Sequence, residues 1–194
     1  MSWFNRLLGR SQPHQAPIDE IVMIFLNSVN ESAKRLMSTI NEGVPISGDA
    51  GYFHSPAFFI ECLLFEWFLA DIVIVRHFVG AEQEAIRSEL HTHLTRACQE
   101  GKRSSEMLNQ ISMTEFTEYL DRTRVTRFSE YADALRAIVD GEGLRRFGAI
   151  VWHRISASDE KSVMGEVRMA FEYLGQYKLL ETIYQEIRKT SQGL

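Results

Sequence analysis

The residues best suited to chemistry are three acids on one strongly apolar stretch, Glu61, Glu66 and Asp71. They are spaced five apart, so on a helix they point in different directions. A carboxylate in a helix that is apolar all round must be paired, hydrogen-bonded or protonated. Glu66 is the candidate for a buried or binding acid, and the preferred donor to it is Arg124. That arginine falls inside an otherwise apolar stripe of Thr117, Leu120, Phe128, Tyr131, Leu135 and Ile138. Arg122 and Arg127 flank it and read as a solvated basic face, with Arg127 and Glu130 placed to pair across one turn. A third set of candidates is Tyr173, Tyr177 and Tyr184, which share a helix face with Leu180. Tyrosines suit half-buried positions at a core edge or at an interface between two copies of the chain.

The histidines invite a different chemistry. Arg87 to His93 reads RSELHTH, and Arg146 to His153 reads RFGAIVWH. Both resemble the Arg-x4–6-His motif of the helical HEPN nucleases. The resemblance implies a metal-independent ribonuclease in which a histidine deprotonates a 2′-hydroxyl and an arginine steadies the phosphate. Arg87 and His93 are the catalytic pair it implies. No Glu-x-x-His or His-Glu-x-x-His is present, so neither a di-metal carboxylate site nor a zinc protease site is expected, and no metal or cofactor is. Gly-x-Ser-x-Gly is absent too, and Gly48-Asp49-Ala50-Gly51 does not continue into a phosphate loop. Cys62 and Cys98 fall inside helical patterns and read as reduced core thiols.

Six helices must position these groups. Residues 18–42 carry an apolar stripe at steps of three and four, ended by Gly43. Ser55-Pro56 opens the next helix, serine as cap and proline at the first helical position. It runs to residue 79, apolar nearly all round, as a central helix is. The third covers residues 81–100. Ser112-Met113-Thr114-Glu115 is a capping-box pattern opening a fourth that runs to residue 139 and ends at Asp140-Gly141-Glu142-Gly143. The fifth covers residues 144–155 and the sixth 159–189. Gly175 interrupts the last and predicts a close crossing or a kink. The expected fold is all-α: a single-domain bundle of about six helices, mostly antiparallel, with the central buried helix at about 55–79.

Composition sets the outer bounds. Hydrophobic residues at 45% and charged residues at 24% exclude bulk disorder. A net charge of −5 argues against nucleic acid as partner. The apolar run at 57–79 is long enough to span a bilayer, but its central acids are costly there, so it reads as the core of a soluble, cytoplasmic protein. Residues 1–17 differ from the helical domain of 18–194. They hold Arg6 and Arg10, no acid, and a proline-containing linker. Trp3, Phe4, Leu7 and Leu8 would lie on one side of a short helix, suited to a weak contact with a membrane's inner face or with a partner. The balance favours a non-enzymatic interaction or regulatory module, homodimeric or with a protein partner. The alternatives are a small-molecule or lipid-binding bundle and the HEPN-like ribonuclease.

Overall fold

The computed structural model describes residues 18–43, 55–103, 110–157 and 162–192. Trp3, Phe4, Leu7, Leu8 and the rest of residues 1–17 lie outside the described residues. Those described form six helices in chain order. They are α1 (Ile18–Gly43), α2 (Pro56–His77), α3 (Gly80–Arg103), α4 (Met113–Arg136), α5 (Gly141–Ser156) and α6 (Val163–Gln192).

The capping chemistry acts as the sequence requires. Ser55 is extended, and its hydroxyl accepts from the Phe58 amide at 3.2 Å. Ser112 and Glu115 form the reciprocal capping box, with bonds of 3.2 and 3.0 Å. One boundary differs from expectation. Asp140-Gly141-Glu142-Gly143 does not end α4; it starts α5. The Asp140 carboxylate accepts from the Gly143 amide at 2.8 Å, and two glycines are tolerated in a first turn so capped. Gly80, with φ of +60°, lets the chain turn between α2 and α3 without a helical break longer than Phe78 and Val79.

α2 is the axis of the molecule. Every residue from position 60 to position 70 is buried, and the helix touches each of the other five. Contacts run in opposite directions along α2 and α3, where Trp67 meets His91 and Asp71 meets Arg87. The same holds for α3 with α4, where Gln99 meets Thr117 and His91 meets Asp121, and for α1 with α6, where Arg35 meets Glu172 and Ser28 meets Gln176. In contrast, α2 and α6 run parallel, with His77 beside Glu181 and Arg76 beside Tyr177.

The close crossing lies between α5 and α6, and Gly175 has no part in it. A Cβ on Gly148 would sit 2.1 Å from the Glu166 carbonyl oxygen, and one on Gly165 would sit 2.3 Å from the Trp152 indole. Gly175 is exposed in an unbroken helix, with nothing within 4 Å of where its Cβ would be.

Candidate functional site

The three acids of α2 have three different fates. Glu61 takes both Nε and Nη2 of Arg127, at 2.9 and 2.8 Å. Arg127 reaches on to Glu130 at 3.5 Å, and Glu130 takes a bidentate pair from Arg154 at 2.9 and 2.8 Å. This chain of charges ties α2, α4 and α5 together. The Arg127 side chain is only 16% exposed, so the solvated face expected there is corrected: the geometry of α4 aims it at a carboxylate of the core. Its hydrogen bonds to Glu61 hold it in the charged form, against the opposing cost of burial. Asp71 accepts from Arg87 at 2.6 and 3.2 Å.

Glu66 is wholly buried, and neither carboxyl oxygen has a hydrogen-bond partner among the described residues. Burial pushes its pKa well above the ordinary carboxylate value, the charge of Glu172 pushes the same way, and Arg35 opposes both. Burial at this position thus favours the protonated form. Above it, α1 and α6 meet across a polar seam. Arg35 Nη2 donates to Glu172 at 3.2 Å, Gln176 at 3.1 Å and Ser32 at 3.3 Å. Arg124 does not pair with Glu66. Its guanidinium lies 5.4 Å from the Trp67 ring centre and 5.7 Å from that of Phe128, with Asp121 at 3.8 Å. The reason is angular: Trp67 and Glu66 are neighbours about 100° apart on α2, so α4 covers the first and α6 approaches the second. One turn before Glu66, the Cys62 thiol is pushed up by burial first and by Glu66 next, while burial takes Cys98 to about 12. Neither is a ready nucleophile.

A shallow cleft of about 180 Å³ lies between α2, α3 and α4, lined by Trp67, Asp71, Glu84, Arg87, Ser88, His91 and Arg124. His91, not His93, shares it with Arg87. Residues six apart on a helix are turned by roughly 240°, so Arg87 and His93 are not brought to one site. His91 sits 3.5 Å from Asp121, and its pKa is lowered by burial and then by Arg124, with Asp121 opposing. Each cation of the cleft faces an acid, Arg87 with Asp71 and Glu84, Arg124 with Asp121. The cleft thus offers a phosphate no surplus positive charge. Arg146, of the other Arg-x-His stretch, pairs with Glu142 at the surface. Among the described residues no group of three or more His, Cys, Asp or Glu is placed to hold a metal ion, and no helix is long and apolar enough to cross a membrane.

The tyrosine face of α6 turns inward. Tyr173 packs edge-on to Phe147 with ring centres 5.0 Å apart, Tyr184 stacks on His77 at 4.0 Å, and the Tyr177 hydroxyl accepts from Arg76. All three are half-buried and pack against the core, the core-edge position that their spacing allows. Three of the acids of α6 turn inward too, while Glu186 stays exposed beside Lys189. Glu166 pairs with Arg145 at 2.7 Å, Glu172 with Arg35 at 3.2 Å, and Glu181 with His77 at 2.6 Å.

What remains outward is a stripe that the periodicity of α6 does not single out. Val163, Met164, Val167, Phe171, Leu174 and Leu179 are all exposed, Phe171 at 67%. Arg168 and Lys178 stand exposed among them, and neither has an ion pair among the described residues. The signal for this stripe was in the sequence, as a helix apolar on two faces, but no spacing says which face the bundle takes.

Fold and site together define a helical bundle with buried ion pairs and, among the described residues, an exposed apolar stripe along α6. Comparison with known proteins adds no family to that description: no family model matches the chain, and neither a curated protein nor a solved structure does.

Proposed function

We propose that the protein is a non-enzymatic helical interaction module that docks a protein on the outer face of α6. One observation carries the reading: six apolar side chains stay exposed along α6, including Phe171, while all three acids between Val163 and Leu180's following turn are drawn inward. Scattered exposed apolar residues need no explanation, but a continuous stripe on one face marks a contact surface. The aromatic at its middle is the type of residue that anchors interfaces.

The test places a photo-crosslinking phenylalanine analogue at position 171 and, as control, at position 27 on the exposed side of α1, in the cells that make the protein. A discrete heavier adduct at 171 and none at 27 is the expected result. No adduct at 171, or the same adducts at both positions, rejects the reading. Light scattering across a concentration series asks whether the docked protein is a second copy; a dimer that Phe171→Asp dissolves would identify it as one.

A further inference from the structure

The arrangement of charge along α6 says more about the occupant than the apolar stripe does. In sequence the helix carries acids and bases in near balance. In the fold the three acids up to position 181 face inward, while Glu186, further on, stays exposed beside Lys189. Glu166, Glu172 and Glu181 are taken by Arg145, Arg35 and His77. Arg168 and Lys178 are left exposed, with no ion pair among the described residues. Ten residues separate these two cations, roughly 15 Å along the axis, and both lie within roughly 80° of Phe171 around the helix. Between them sits Gly175, exposed and without a neighbour. A glycine inside a helix weakens it, and here no contact among the described residues uses the space it leaves. Such a gap beside Phe171 and Leu174 admits the ridge of a crossing helix.

We propose that this face takes an acidic amphipathic helix from a different protein, laid across α6 at Gly175, its apolar side on Phe171 and Leu174 and its carboxylates reaching Arg168 and Lys178. The inference rests on the docking reading above. A second copy fits less well. A two-fold contact sets a surface against itself, and between Val163 and Leu180 this surface exposes two cations and no acid to meet them. An anionic membrane is also a poorer match. Interfacial helices have a strongly charged face opposite the apolar one, whereas the opposite face of α6 is built into the bundle.

The experiment uses the full chain and two synthetic helical peptides with one identical leucine stripe, flanked by glutamates in the first and lysines in the second. Binding is followed by fluorescence anisotropy. The glutamate peptide is expected to bind about tenfold or more tighter than the lysine peptide, the sum of two modest attractions replaced by two repulsions. That preference should shrink as salt rises from low to physiological and beyond. The double variant Arg168→Glu, Lys178→Glu should reverse it, and Gly175→Leu should weaken both peptides. Equal binding of the two peptides, abolished by Phe171→Asp, overturns the acidic partner while leaving the docking face intact. Binding of either peptide that survives Phe171→Asp overturns both, as does no binding together with no adduct at position 171. Sedimentation with phosphatidylserine vesicles that Phe171→Asp abolishes would overturn it in favour of a membrane.

Discussion

α1 and α6 lie antiparallel across the same seam, and they solve the problem of a surface helix differently. α1 buries Ile21, Val22, Phe25, Val29, Ala33, Leu36 and Ile40, and its exposed positions include Asn27, Glu31, Lys34, Ser38 and Asn41. One face is apolar and the other is wet, as expected of a helix at the edge of a core. α6 buries Met169, Ala170 and Leu180, half-buries three tyrosines, and still exposes Phe171, Met164 and Val163. The lesson lies in what each pattern specifies. A single apolar stripe states both that a helix forms and which way it faces. Two stripes state only the first, and the choice is made by whichever set of neighbours fits better. In α6 the inner side is the one on which Glu166, Glu172 and Glu181 find Arg145, Arg35 and Arg76.

The comparison can be broken most directly by removing one phenylalanine from each helix. Phe25→Ala deletes a fully buried ring of α1 and should cost about 3–5 kcal/mol. Phe171→Ala in α6 should change stability by less than about 0.5 kcal/mol. Chemical denaturation of the two variants beside the parent measures both, and a large loss for Phe171→Ala would mean that the face is covered by the chain itself.

The seam between the two helices hides Glu66, and pH reads it. The folded pKa of Glu66 is raised, whereas in the unfolded chain it is near the ordinary 4.5. Above that value the unfolded state gives up the proton and the folded state keeps it. Stability should therefore fall as pH rises from about 4.5 to the folded pKa, and level off beyond it. Glu66→Gln cannot ionise and should show a shallower decline over the same range. Superimposable stability profiles for the two proteins would show that Glu66 is solvated or paired in solution.

Two glycines sharpen the contrast on a smaller scale. Gly148→Ala forces a carbon onto the backbone of α6 and should cost about 1–3 kcal/mol, since a carbonyl cannot rotate aside as a long side chain would. Gly175→Ala meets nothing and should raise stability by about 0.5–1 kcal/mol. Thermal unfolding of both orders them, and a loss for Gly175→Ala would place a neighbour over that position.

Much of the architecture was legible in the residues themselves. The all-α class, the order of the helices and the central place of α2 follow from local rules: apolar spacing, the caps at Ser55 and Ser112, and a run from position 60 to 70 too apolar to face water. The separate environments of Glu61, Glu66 and Asp71 follow as well, because a spacing of five turns successive residues away from one another. Pairings between helices were not legible. That Arg127 rather than Arg124 meets an acid of α2 depends on how α4 is rotated against α2, and a rotation of one residue's width redirects every side chain on the face. Gly148 and Gly175 are both glycines within helices, and only the path of α6 across α5 makes one indispensable and leaves the other open. The sequence by itself determined which segments are helical and which side chains could not remain in water, since both depend on near neighbours in the chain. Only the tertiary structure decided which face of α6 was left over, because that depends on cations of α1, α2 and α5 brought close by folding alone.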